Sequence, residues 1–107
     1  VNLLPATDGL LIAQRFVQPA NAAKVKGRSE TAAAQTVDKL AGIDHRPAEH
    51  AIGCPILEDA VAYLECAREQ VIEVGDHVLV IGRVLYGEVQ SSDDPLTSTV
   101  TGWSYSG

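Results

Sequence analysis

Several things are scarce in this sequence of 107 residues: two cysteines, eight lysines and arginines against fourteen acids, one tryptophan, one phenylalanine and three tyrosines. Each scarcity excludes something. Cys54 and Cys66 are too few and too far apart for a disulfide framework, so two reduced thiols in a reducing compartment are expected. A net charge of −6 with scattered basic residues argues against a nucleic-acid backbone as partner, which needs clustered Lys and Arg. No apolar run approaches the ~20 residues that span a bilayer, and no charged-then-apolar leader opens the chain, so the expected location is cytoplasmic. The sequence holds no Gly-x-Ser-x-Gly elbow, no phosphate-binding Gly-rich loop and no His-Glu-x-x-His helix. His45, His50, Cys54 and Cys66 are atom types that zinc favours, but they lack the paired short gaps of a structural site, and no metal is expected.

What is present suits one small domain over residues 1–107. The hydrophobic fraction of 46% comes mainly from Ala, Val, Leu and Ile. VNLLPATDG opens as though a strand were already ending at a Pro-containing turn, so the chain reads as one joined in progress. Thr7 or Asp8 then caps a helix with Leu10, Leu11, Ala13, Phe16 and Val17 near helical spacing, ending before Pro19. Lys24, Lys26 and Arg28 form the single local basic cluster, a solvated loop or a contact for one phosphate. TAAAQTVDKLAG, residues 31–42, has Ala-rich propensity with Gly42 past its end, predicting a second, exposed helix. Residues 43–53 mix Pro, Gly, His and charge without periodicity and predict an irregular connection of the kind often found beside a site.

Residues 56–72 are ambiguous on pattern alone. Leu57, Ala60, Val61 and Leu64 fit a helical period, yet VAYLECA also alternates. HVLVIGRVLYGEV predicts a buried strand, with Gly82 marking a bend or bulge. Val74-Gly75-Asp76 between them supplies a residue tolerant of positive φ for a tight reversal. If the second segment pairs back, the first is also a strand. The tail, with Thr, Val, Trp and Tyr after a polar turn, would add an edge strand.

Four groups of residues have a recognisable order and spacing: Gly53-Cys54-Pro55-Ile56-Leu57, Ala62-Tyr63-Leu64-Glu65-Cys66, Gly75-Asp76-His77 and Ile81-Gly82-Arg83-Val84. They resemble the later part of flavin reductase domains of the FMN-binding split-barrel type, including the modules that end flavodiiron-type diflavin proteins. VNLLPATDGLLIAQRF, Ala23 to Gly27, and Asp94 to Tyr105 extend the likeness, with Ala23 and Val25 departing from the family pattern. The resemblance implies an α+β, mostly antiparallel β fold, a partial split β-barrel with one or two helices. Residues 60–73 and 77–89 would be a hairpin within it, and the chain the C-terminal two-thirds of a module.

The same resemblance implies NAD(P)H-dependent reduction of FMN by hydride transfer, with a catalytically silent flavin-binding or dimerisation module as the alternative. His77 would lie near the isoalloxazine; its other reading is a turn histidine bonded locally. Lys24, Lys26, Trp103 and Tyr105 are the residues to which cofactor contact is assigned. The implied partners are flavin and nicotinamide, an oxygenase or flavodiiron acceptor of electrons, and a second copy of the chain in a homodimer. The flavin-phosphate residues of the family lie largely upstream of Val1.

Overall fold

The computed structural model describes residues 1–18 and 38–104. In chain order these form β1 (Asn2–Leu3), α1 (Gly9–Val17), β2 (His45–Pro47), β3 (Pro55–Leu57), β4 (Ala62–Val74), β5 (His77–Val89) and α2 (Ser98–Thr101). The fold is mostly antiparallel β with two short helices, and the described strands do not close a barrel. No described helix is long and apolar enough to cross a membrane.

The dominant element is the β4–β5 hairpin, thirteen residues in each arm. Helical propensity across residues 57–72 loses to pairing, because β5 supplies partners to β4 along almost its whole length. The reversal fits in two residues: Val74 pairs with His77, and Gly75 between them takes φ 62. With Asp76 at negative φ, this is the II′ pattern, whose twist matches the strands it joins. Two register shifts bend the hairpin. One leaves Leu85 of β5 unpaired, and the other leaves Glu69 of β4 unpaired opposite Gly82 and Ile81.

β1 covers the other edge of β4, but only at its base, through Asn2↔Tyr63 and Leu3↔Ala62. α1 starts after the Pro5–Gly9 turn, where Gly9 N donates to Pro5 O at 2.9 Å. Asp8 occupies the expected cap position, yet its side chain makes no cap hydrogen bond. The C-terminal end of α1 is held instead by side chains: Lys39 Nζ donates to Phe16 O, and Arg15 donates to Asp38 O at 3.0 Å.

Outside the hairpin, three expectations need correction or restriction. The supposedly irregular connection contains β2, which pairs with β3 through His45↔Leu57, Arg46↔Ile56 and Pro47↔Pro55. Three-residue strands are too short to show alternation, and prolines facing each other end the ladder because neither has an N–H. The tail adds no edge strand among the described residues. Ser98–Thr101 is a helical turn that Gly102 closes at φ 68, donating to Ser98 O, so local capping prevails over β propensity. Residues 39–42 are turns, with Leu40 N bonded to Asp38 Oδ1 at 3.0 Å, and the rest of the predicted second helix lies outside the described residues.

The core sits at the hairpin's base. Ala48, Ala51, Ile56 and Tyr63 form its cluster, with Leu57, Ala60 and Val61 also buried. Every residue of β5 is exposed, not buried as predicted for HVLVIGRVLYGEV, because the hairpin runs out beyond this small core, and its outer edge has no partner among the described residues.

Candidate functional site

Between the β2–β3 arm and the hairpin's base lies a cavity of about 250 Å³. Its principal lining residues are Arg46, His50, Tyr63, Glu65, Tyr86 and Glu88. Strand geometry explains how four of them meet. Tyr63 pairs with Glu88 and Glu65 with Tyr86, and side chains two apart on a strand share a face. The segment from β2 to β3 covers that face and supplies Arg46 and His50.

Glu65 is only 4% exposed, an unusual place for a carboxylate. It accepts hydrogen bonds from the backbone N–H of His50 at 2.6 Å and of Ala51 at 2.8 Å, while His50 Nδ1 lies 3.4 Å from its other oxygen. Burial pushes its pKa up; the two amides and the His50 ring outweigh this and hold it below the usual carboxylate range. Its partners identify Glu65 as a fastener for the loop between β2 and β3.

Tyr63 donates its hydroxyl hydrogen to Glu88 Oε2 at 3.0 Å. Burial first, and the bond to Glu88 second, raise its pKa above that of a free phenol. Arg46 donates to Glu58 at 2.8 Å and to Gln90 at 2.6 Å, and its guanidinium carbon stands 5.4 Å from the centre of the Tyr63 ring. Loss of hydration works against that charge, but Tyr63 and Glu58 prevail and raise its pKa. Gln90 completes the clasp by donating to the carbonyls of Leu57 and Ala60. His50 stacks on Tyr86 with ring centres 4.5 Å apart and planes at 15°. The arrangement offers aromatic surface and fixed polar groups, which can bind and orient a ligand. Among the described residues it presents no activated nucleophile.

His77 occupies a different place. It opens β5 at the hairpin tip, its Nδ1 2.6 Å from Asp76 Oδ1. At ~3.3 Å per strand residue, the tip stands on the order of 35–40 Å from the base. Trp103 is 41% exposed and follows α2, in a segment tied to the base by Leu96 N–H bonding to Leu4 O and by a bridge between Pro5 and Pro95. The described chain thus anchors these two expected ligand-binding residues at opposite ends of the hairpin. Lys24, Lys26 and Tyr105 lie outside the described residues.

Arg46, His50, Glu65 and Glu88 were not singled out for this cavity by sequence pattern. One signal was available: Tyr63 and Glu65 on one strand face, opposite Tyr86 and Glu88, place two acids among apolar positions.

Comparison with known proteins fits this architecture. Residues 1–101 match the family described as flavin reductase like domain. A probable flavin reductase of Rhizobium meliloti (strain 1021) is 38% identical over 77 residues, covering 72% of this chain and 24% of that protein. The flavin-dependent monooxygenase reductase subunit HsaB of Mycobacterium tuberculosis (strain CDC 1551 / Oshkosh) is 49% identical over 47 residues, covering 44% of this chain and 24% of that protein. Among solved structures, a putative oxidoreductase of Sinorhizobium meliloti 1021 superposes with a TM-score of 0.64 at 31% identity, over 88% of this chain and 26% of that one. The flavin reductase HpaC complexed with NADP+ superposes at 0.62 over 87% of this chain and 47% of that one; its 23% identity speaks to fold alone. The matches to the two curated relatives thus span about a quarter of their lengths. The match over residues 1–101 establishes that the chain belongs to the flavin reductase like domain family.

Proposed function

We propose that this chain is part of an NAD(P)H-dependent flavin reductase that transfers hydride from the nicotinamide to FMN. The family match across residues 1–101 carries the reading. The cofactors supply the redox chemistry, and a protein of this kind binds them, aligns them and excludes water. The lack of an activated nucleophile among the described residues is compatible with that division of labour. The reduced flavin is proposed to pass to a partner oxygenase, in keeping with HsaB and with the stachydrine N-demethylase reductase subunit Stc3, both named as reductase subunits. A homodimer is part of the same proposal.

His77 is proposed to contact the flavin or the nicotinamide from the exposed hairpin tip. Lys24, Lys26, Trp103 and Tyr105 are proposed as the further cofactor contacts. The second reading is a flavin-binding or dimerisation module without catalysis.

The test is loss of nicotinamide absorbance when the purified protein is mixed with FMN and either NADH or NADPH. Turnover supports the first reading; flavin bound without turnover leaves the second. His77→Ala is expected to lower kcat/KM about tenfold, the worth of one hydrogen bond to a ligand group. The variant should keep the thermal unfolding of the parent, because His77 is exposed. Unchanged kcat/KM would remove His77 from the site.

A further inference from the structure

Three aromatic rings touch in sequence at the base of the hairpin. His50 lies on Tyr86 with ring centres 4.5 Å apart, and Tyr86 is tilted against Tyr63 with centres 6.3 Å apart and planes at 45°. Both spacings fall within the range of direct ring contact. Tyr86 is 40% exposed and Tyr63 only 5%, so the contact between the two phenols leads from the surface inward. Neither the loop fastening at Glu65 nor the Arg46 clasp needs that contact.

The two phenols differ in what can take their protons. Tyr63 donates to Glu88 Oε2 at 3.0 Å, its cross-strand partner in the ladder. The Tyr86 hydroxyl has no hydrogen-bond partner among the described residues, and its acceptor is water. A carboxylate is a far stronger base than water, so the joint loss of an electron and a proton is easier at Tyr63. Arg46 tightens this coupling. Its guanidinium carbon, 5.4 Å from the centre of the Tyr63 ring, opposes positive charge on that ring, so the electron leaves only as the proton does.

We propose that Tyr86 and Tyr63 form a relay that carries a one-electron oxidation inward, from a radical or high-valent metal complex in solution to Tyr63, with Glu88 as the proton acceptor. In the first step the oxidant gains an electron from Tyr86, whose hydroxyl proton goes to water, leaving a neutral tyrosyl radical. In the second an electron passes from Tyr63 to Tyr86. The Tyr86 oxygen regains a proton from water, while the Tyr63 O–H bond breaks and its proton moves to Glu88 Oε2. The balance is one oxidant reduced by one electron, one Tyr63 radical and one protonated Glu88. The oxidation ends on a ring that solvent hardly reaches.

The inference stands apart from flavin reduction, and its test needs no flavin. Ruthenium(III) tris(bipyridine) is generated by a laser flash in a solution of the protein carrying Trp103→Phe and Tyr105→Phe, which remove its one tryptophan and third tyrosine. Tyrosyl radicals are followed by transient absorption and, after rapid freezing, by high-field electron paramagnetic resonance, which separates a hydrogen-bonded phenoxyl oxygen from a free one. The expected result is a radical that appears on Tyr86 and passes to Tyr63, more slowly in D2O than in H2O. Tyr63→Phe should leave only the Tyr86 signal, and Tyr86→Phe should slow the oxidation of Tyr63. Glu88→Gln changes an exposed side chain and should slow transfer to Tyr63 about a hundredfold, the lower end of what a positioned proton acceptor contributes. Transfer as fast in Glu88→Gln as in the parent, or a Tyr63 radical that forms equally fast without Tyr86, would overturn the proposal.

Discussion

Glu65 faces a loop instead of water, and that loop gives it two backbone N–H donors that would otherwise lose their hydration in the interior. Because its folded-state pKa lies below the ordinary carboxylate value, it contributes stability that is fully present above that value and is lost as pH falls through the folded one. Glu65→Gln should therefore lower the melting temperature near neutral pH and flatten the acid side of the stability profile. Chemical denaturation repeated from neutral to acidic pH checks both. An unchanged acid limb would mean that other carboxylates govern acid unfolding. His50, stacked on Tyr86, rides on the same fastening, so the substitution should also increase amide exchange in the loop around it.

At the scale of elements, two glycines have roles that helix and strand propensities do not describe. Gly9 opens α1, where alanine would ordinarily gain about 1 kcal/mol of helix propensity. Here an added Cβ would stand 2.7 Å from Leu4 Cβ and 3.3 Å from Pro5 Cδ, on backbone-anchored atoms. Gly9→Ala is expected to cost about 1–3 kcal/mol, the usual penalty for overpacking, as measured by urea unfolding. Gly75 has open space around it but takes φ 62, so Gly75→Ala strains the turn without a clash. That change should cost about 1–2 kcal/mol and loosen the amides of the hairpin tip, seen by hydrogen exchange. Flavin reduction would then show whether tip geometry matters to the role proposed for His77. The hairpin itself was legible from Val74-Gly75-Asp76 followed by a run rich in Val, Leu, Ile and Tyr, although residues 57–72 also satisfied a helical period. The β2 strand was not legible, because its pairing partner lies beyond a seven-residue turn-rich gap and each arm holds only three residues.

For the whole molecule, the open hairpin is the dominant physical fact. Val78, Leu79, Val80, Val84 and Val89 are each more than half exposed on a strand whose outer edge has no partner among the described residues. A long apolar edge of this sort pairs with whatever strand is available. The 107-residue chain studied alone is expected to self-associate with rising concentration, and Val80→Lys to reduce that association, both measured by sedimentation velocity. Association unaffected by the added charge would locate the contact elsewhere. In the candidate site, the tertiary fold joined Arg46 and His50 to residues of the hairpin's base, a meeting that no local spacing announced. It also separated His77 from that cavity by the length of the hairpin.

The sequence by itself determined the reversal at Gly75, the strand at 77–89, α1 with its end before Pro19, and the family resemblance centred on residues 53–89. These rest on local chemistry: a glycine where φ must be positive, a β-branched run, a helical stripe. Only the tertiary structure decided that residues 45–47 pair with 55–57 and that the tail turns helical at Ser98. It alone brought Glu65 to the loop amides. Periodicity records which faces of an element are apolar; which partner meets each face depends on contacts between residues distant in sequence, and these form only when the chain folds.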